Sequence, residues 1–506
     1  MIYRHSFHFS RLALLLALLL PLNSLPAEEI RQIGSRLELM VDDWLIESLT
    51  GAELELHHPV PCEKAWEPKK GNKDISMAFT TIFRDGDIYR MYYRGYASVA
   101  EVKDPAHEVP DQVTCYAEST DGIHWTRPNL GIYETTDDRP NNIILTGVGC
   151  HNFTPFKDTN PNCRPEARYK AVGRIMFDDD PSPPEPDDTG YPWVHGCGLL
   201  AYQSPDGIHW SLMQKERIIK KGEFDGQNLA FWDTVRGKYV LYERIWQSDG
   251  TRIRDIARLT SDDFLHWTDP EWLDYGDVPP EHLYTNAITP YFRAPHLLVG
   301  FPMRLVNGRM KVPDNPYPSE VAVNDTVFMS SRDGIHFKRW QDAFIRPGPQ
   351  RGRWWNENNH VAWGILKTKS HIADVPDELS IYSNEDYGTD ACAQRRYSMR
   401  IDGFVSVHAS HTGGEMLTHP LVFAGQELVL NYSTSAAGSI RVEIQNQDGK
   451  PIPGFALADC PTIYGDSIEE AVRWKSGGDV SALAGQSVRL RFVLKDADLY
   501  SLQFRP

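Results

Sequence analysis

The chain contains no Cys-x-x-Cys and no His-Glu-x-x-His, so the ligand spacing of a structural zinc site is missing. Its seven cysteines (Cys62, Cys115, Cys150, Cys163, Cys197, Cys392 and Cys460) are scattered over 506 residues. An odd number leaves at least one thiol unpaired even in an oxidising compartment; Cys150 and Cys163 flank a polar loop and could bridge. Positive charge is short: 52 Lys and Arg face 69 Asp and Glu, a net charge of −17. That balance argues against nucleic acid and against an anionic membrane surface as partners. It also makes a sulfated or polyuronate ligand less natural unless basic residues concentrate locally. After the first two dozen residues no apolar run approaches the ~18 residues of a membrane span.

The N-terminus reads as a processing segment. Arg4, His5 and Arg11 precede an apolar core at 12–20, and Ala27 offers a small residue for cleavage. Residues 1–27 are therefore expected to be a signal peptide, and the mature protein to be secreted or periplasmic, with no membrane contact after removal. The remainder is globular in composition, with 41% hydrophobic and 24% charged residues. It is too long for one ordinary core, so two domains are expected.

One short pattern recurs four times: STDGIHW at 119–125, SPDGIHW at 204–210, SDDFLHW at 261–267 and SRDGIHF at 331–337. Each follows an apolar, strand-like run. Asp-Gly between strands signals a tight turn, because glycine takes positive φ at no steric cost. The third copy has Asp-Phe, which predicts a different turn there. A hairpin repeated at intervals of roughly 55–85 residues is the mark of a radially repeated all-β fold, one four-stranded blade per copy. The blades count to five. The first opens at 74–83, the second near 142–145 and 151–154, the third at 225–233, the fourth at 284–291 and the fifth at 354–360. The alternating stretch 36–42 is read as the strand that closes the ring. The Pro/Asp-rich insertion 178–188 is read as a rim loop. Beyond residue 408 the repeat stops, and short alternating strands to the C-terminus read as a β-sandwich. The expectation is an all-β chain: a five-bladed β-propeller over 28–408, followed by a C-terminal β-sandwich over 409–506.

Five blades with acidic or amide-rich inner strands, the FWDxxxGKY run at 231–239 and the added β-sandwich resemble glycoside hydrolase families 32 and 43. The Ser-x-Asp-Gly hairpins also resemble the Asp-boxes of sialidases, with different glycine spacing. The first resemblance implies a carbohydrate substrate and three acidic residues at a central funnel. Asp74 and Asp225 open the inner strands of blades one and three. The proton donor is either Glu243, on the strand after Asp225, or Glu357, opening blade five. No cofactor is required; a structural calcium in the channel is implied by the resemblance alone.

Glycoside cleavage needs one carboxylic acid to protonate the leaving oxygen and one carboxylate as nucleophile or base. A crowded funnel would separate their pKa values and so assign the roles. His151, Asn228, Asn286, Arg304, Asn356 and His360 lie at matching blade positions and are candidates to bind sugar hydroxyls. Trp354 or Trp355 would stack on a sugar face, the other joining the inter-blade core. A non-catalytic carbohydrate-binding propeller is the alternative reading. A lyase or sialidase-like activity using Tyr284 and Arg304 is a third.

Overall fold

The computed structural model describes residues 29–67, 79–97, 112–136, 140–176, 197–247, 249 and 251–506. Five antiparallel sheets form the blades of a propeller. Blade one comprises Thr81–Asp85, Ile88–Tyr96, Gln112–Ser119 and Ile143–Thr146, so the 142–145 stretch ends blade one rather than opening blade two. Blade two comprises Thr154–Lys157, Tyr169–Met176, Cys197–Ser204 and Ser211–Leu212. Blade three comprises Leu229–Asp233, Lys238–Trp246, Arg254–Ser261 and Glu271–Trp272. In blade four both early strands are broken in two. His282–Leu283 and Thr289–Tyr291 pair with Met303–Asn307 and Ala294–Gly300, and Ala322–Ser331 and Phe337–Ile345 complete the sheet. Pro302 sits at the break of the second strand, where it has no N–H to give a ladder.

Blade five comprises Leu366–Thr368, Glu378–Glu385 and Ala393–Arg400, and its fourth strand is Val60–Trp66 from the N-terminal part of the chain. The ring is thus closed by 60–66, not by the 36–42 stretch. Within that stretch Glu38–Leu39 pairs instead with the C-terminal strand Ser487–Arg505. Asp42 is held there by Arg332, at 2.6 and 3.0 Å. Three further early strands, Arg31–Gly34, Ile46–Thr50 and Glu53–Leu56, also join the C-terminal sheet. That sheet wraps a separate core of Leu428, Leu430, Val442, Leu490, Phe492 and Phe504. All seven cysteines are free; Cys150 is buried with its thiol on the Gln112 carbonyl, and Cys163 lies near Lys170, so the proposed bridge is absent.

The repeated hairpin joins the third strand of a blade to the fourth. Its geometry is the same in all four copies. The serine hydroxyl accepts the backbone N–H three residues on, at 2.8–2.9 Å. One aspartate oxygen accepts two successive backbone N–H groups, at 2.8–2.9 Å. The other oxygen meets the histidine Nδ1. Blade five has no copy because its fourth strand comes from elsewhere in the chain.

The Asp-Phe copy keeps the same turn, contrary to expectation: Phe264 takes the glycine's left-handed backbone, at φ 72°. A neighbouring blade explains why. At the other hairpins a tyrosine of the preceding blade donates to the glycine carbonyl: Tyr92 to Gly207 at 3.1 Å, Tyr242 to Gly334 at 2.9 Å, and Tyr382 to Gly122. A Cβ at Gly207 or Gly334 would sit 2.8 or 2.9 Å from that tyrosine oxygen. In blade two the equivalent residue is Val172, which shares one buried cluster with Phe264. The Phe264 ring fills the vacated space, 5.2 Å from Tyr239 and 5.6 Å from Phe156. Burying a phenyl ring contributes about 1.5–3 kcal/mol, which offsets the roughly 1–2 kcal/mol of left-handed strain.

The Val172–Phe264 pair should therefore behave as a unit. Val172→Tyr and Phe264→Gly are each expected to destabilise the chain, and the double variant to recover, with a coupling of about 1 kcal/mol or more in denaturant titration. Additive losses would rule out this account of the third hairpin.

Candidate active site

The chain enters the first strand of each blade through a residue with positive φ: Phe79, Gly149, Phe224, Ala287, and both Glu357 and Asn359. Four of the five blades thus use side-chain-bearing residues in a conformation that costs about 1–2 kcal/mol each. Such strain persists only where surrounding structure over-determines it, and it clusters at functional sites. On the approaches to blades three, four and five, Asp225, Tyr284, Asn356 and Glu357 line a cavity of about 360 Å³, within the small-ligand range of ~300–1,000 Å³. Asp225, Arg254, Tyr284, Glu320, Asn356 and Glu357 supply its polar lining; Leu305 and Val321 are among the apolar residues.

Glu357 is the most perturbed acid of this lining. Burial, and then the negative charge of Asp225, push its carboxyl up to about 7, against the opposing pull of Arg94 and Arg254. Its Oε2 lies 3.4 Å from Nε2 of His360. That histidine is buried between Phe79 and Tyr284, and burial together with Arg94 lowers it to about 3, so the imidazole is neutral. Neither of its ring nitrogens has a hydrogen bond among the described residues. Asp225 sits under two guanidinium groups, Arg174 at 3.4 Å and Arg244 at 3.6 Å, and the Tyr284 hydroxyl is 3.5 Å away. Glu357 thus holds its proton near neutrality, as a general acid must, and Asp225 stands in the same lining within 4 Å of two guanidinium groups. The Asn356 amide donates to Glu320, a third carboxylate at the rim.

Not every candidate reaches this cavity. Asp74 lies outside the described residues. Asp225, Asn356 and Glu357 line the cavity, and His360 stands against Glu357 and Tyr284. His151 stands one ring further out: its Nδ1 is 2.6 Å from Gln112 and its ring is 6.2 Å from Phe79. Glu243 is fully buried beneath Gly222, where an added Cβ would meet its Oε2 at 2.5 Å. Successive residues of a strand face opposite ways, and Arg244 takes the face toward Asp225. Burial raises the Glu243 carboxyl well above its usual range, so it is a neutral acid packed below the site. Asn228 and Asn286 are loop clamps: Asn228 donates to the carbonyls of Phe224 and Gly226, and Asn286 accepts from the Ile288 N–H. Arg304 is locked in a bidentate pair with Asp325, at 2.8 and 2.7 Å, and lines a second cavity with Trp354. Trp355 is the buried partner, donating to the Tyr387 carbonyl at 3.0 Å.

The residues that went unread are mainly arginines. Arg94, Arg174 and Arg244 occupy the same place on the second strands of blades one to three, and Arg254 faces Trp246 across blade three. Their signal was present as a Tyr-x-x-x-x-Arg spacing at 89/94, 169/174 and 239/244. Its tyrosines brace the blades: Tyr169 donates to Asp85, and Tyr239 to Asp158 at 2.7 Å. The described axial residues do not fit a hard cation such as calcium, because guanidinium groups crowd the carboxylates there. The one grouping of three metal-capable side chains among the described residues is Glu55, His408 and Asp498, on the C-terminal sheet.

No family model matches the chain, and no curated protein matches it by sequence. Among solved structures the chain is similar to a thermostable family-43 glycoside hydrolase (11% identity, 68% of this chain and 96% of that one, TM-score 0.42). It is similar also to an endo-arabinase from Bacteroides thetaiotaomicron (11% identity, 69% and 98%, TM-score 0.38). A third is the family-32 β-fructofuranosidase of Bombyx mori (10% identity, 87% and 95%, TM-score 0.39). The likeness is one of five-bladed architecture at low identity.

The raised Glu357 pKa has a consequence for stability. The folded chain binds this proton more tightly than the unfolded chain, in which the group titrates near 4.5. Stability therefore falls as pH rises from about 4.5 to about 7, and the full penalty applies above that window. Glu357→Gln removes the penalty. The variant should gain on the parent chain across that window by up to about 3 kcal/mol, read from denaturation midpoints at either end. A gap independent of pH would show that Glu357 keeps an ordinary pKa.

Proposed function

We propose that the protein is an exported glycoside hydrolase acting on an extracellular oligo- or polysaccharide at the axial cavity. Export rests on the N-terminal segment at 1–27. The observation that carries the catalytic reading is Glu357: a carboxyl pushed up to about 7 beside Asp225, in a cavity of ligand size. Glu357 acts as general acid, giving its proton to the leaving glycosidic oxygen. Asp225 acts on the opposite side as nucleophile or as base toward water, and Arg174 and Arg244 keep it oriented. Neutral His360 borders the acid without competing for its proton. Tyr284, whose hydroxyl burial raises well above its usual range, stays protonated and donates to Asp225.

The reading is tested on a panel of polysaccharides and aryl glycosides with the full chain. Glu357→Gln is expected to lower kcat/KM on ordinary glycosides by roughly 10²–10⁴-fold, with far less loss on aryl substrates whose leaving group needs no proton. Asp225→Asn should abolish cleavage of both, with the fold intact by circular dichroism. In the parent, kcat/KM should fall as pH rises through about 7, as Glu357 loses its proton. Full activity of Asp225→Asn would sink the assignment. Saturable glycan binding without any cleavage would favour the carbohydrate-binding propeller instead.

A further inference from the structure

The guanidinium of Arg254 lines the cavity beside Asp225 and Glu357. It lies over the Trp246 ring at 5.2 Å and the Tyr284 ring at 5.7 Å. The Arg244 guanidinium lies over the same two rings, at 5.0 and 5.7 Å. Two like charges therefore share one aromatic platform. Arg244 is engaged by protein: it donates to the Asp225 carbonyl at 2.5 Å and stands 3.7 Å from Glu223 and 3.6 Å from the Asp225 carboxylate. Even so, its Nη1 is buried without a hydrogen-bond partner. Arg254 has no carboxylate within ion-pair reach among the described residues, and its Nε is buried and unsatisfied. Burial and the charge of Arg244 both disfavour the Arg254 cation, lowering its pKa. Unmatched buried cations are costly, and a guanidinium presents a planar fork that fits a two-oxygen anion.

We propose that Arg254, supported by Arg244, binds an oxyanion in the axial cavity, and that this anion is the carboxylate of an acidic sugar at the cleavage site. This rests on the hydrolase reading above and names its substrate class. The aromatic platform holds the fork flat, so the carboxylate meets two N–H groups in its own plane while the sugar ring extends toward Asp225 and Glu357. The anion sits on Arg254 rather than on Asp225, because Asp225 is itself negative and already held by Arg174 and Arg244. A negative ligand there also supplies the counter-charge that Arg254 lacks.

The test is calorimetric titration of the full chain with D-galacturonate, D-glucuronate, the neutral sugars galactose and glucose, and inorganic phosphate and sulfate. At least one uronate is expected to bind about tenfold or more tightly than its neutral counterpart, the scale of one lost charge-assisted contact. Arg254→Gln should remove that preference, read as the ratio of uronate to neutral-sugar affinity within the same variant. Arg254→Lys, which keeps the charge and loses the fork, should restore part of it and serves as the second variant if the glutamine protein folds poorly. Phosphate or sulfate binding as tightly as the uronates, with the same Arg254 dependence, would overturn the acidic-sugar assignment in favour of a free oxyanion. Absence of Arg254-dependent binding of every probe would overturn the site itself. The two readings fail separately. Glu357-dependent cleavage of neutral glycosides by a parent chain that shows no preference for a uronate over its neutral counterpart leaves the hydrolase and removes this proposal. Arg254-dependent uronate binding with no glycan cleavage does the reverse.

Discussion

Closure of the ring is the constraint from which the site follows. The fourth strand of blade five comes from more than three hundred residues upstream of its partner, through Val60–Trp66 laid on Ala393–Arg400. Arg396 holds the seam by reaching Glu63 at 2.5 Å and Glu378 at 2.7 Å, while Arg395 meets the Cys62 carbonyl. Inside the ring Gln394 donates to Thr80 of blade one, and Gln227 of blade three reaches Thr80 and Thr81. These buried amides tie blades five, one and three across the axis. Closing so long a loop costs only a slowly growing entropy, about 0.6 kcal/mol per doubling of length, so the pairing of one seven-residue strand can secure it.

A closed ring forces the blade entries together, and their chemistry then cannot be that of water. Arg94, Arg174 and Arg244 are buried about this cavity, where charges act on each other more strongly than at the surface, and Glu357, Asp225 and Arg254 are half-buried beside them. Desolvation wins at Glu357, because its nearest charged influence, Asp225, has the same sign and reinforces it. Asp225 stands 3.4 Å from Arg174 and 3.6 Å from Arg244. The backbone at Glu357 is strained as well, at φ 67°. The tandem of strain and desolvation makes sense only if the acid's position matters more than its stability cost.

The propeller was legible because its unit is local. Each Asp-Gly hairpin is held by bonds spanning three residues, so a sequence window contains it whole. The third copy misled for the opposite reason: Phe264 packs on Phe156 of another blade, a contact no local window includes. The closing strand was misplaced because 36–42 and 60–66 both look like short edge strands, and only pairing decides between them. Asp225, Asn356 and Glu357 line the cavity because the chain passes them on its way to the first strands of blades three and five, a placement close to the one expected from the sequence. Arg304 and Trp354 land elsewhere: Leu305 and Asn307 of the same strand line the first cavity, so Arg304 alternates to the second, which Trp354 also lines. The arginines do not stand out in the composition, because a net charge of −17 averages over the whole chain and hides where single charges gather.

That averaging carries a physical point. Charges on the outer surface act through water and salt, whose screening length is about 8 Å at physiological ionic strength. Inside the funnel an arriving group meets Arg254 and Arg244 at contact distance, with aromatic rings rather than water behind them. The acidic exterior slows the approach of an anion and sets its salt dependence; it does not set the binding energy at the end of the path. A strongly acidic protein that gathers Arg94, Arg174, Arg244 and Arg254 about one cavity is therefore no contradiction. Solubility is governed by the sum of the charges, and recognition by the few that the closed ring brings together.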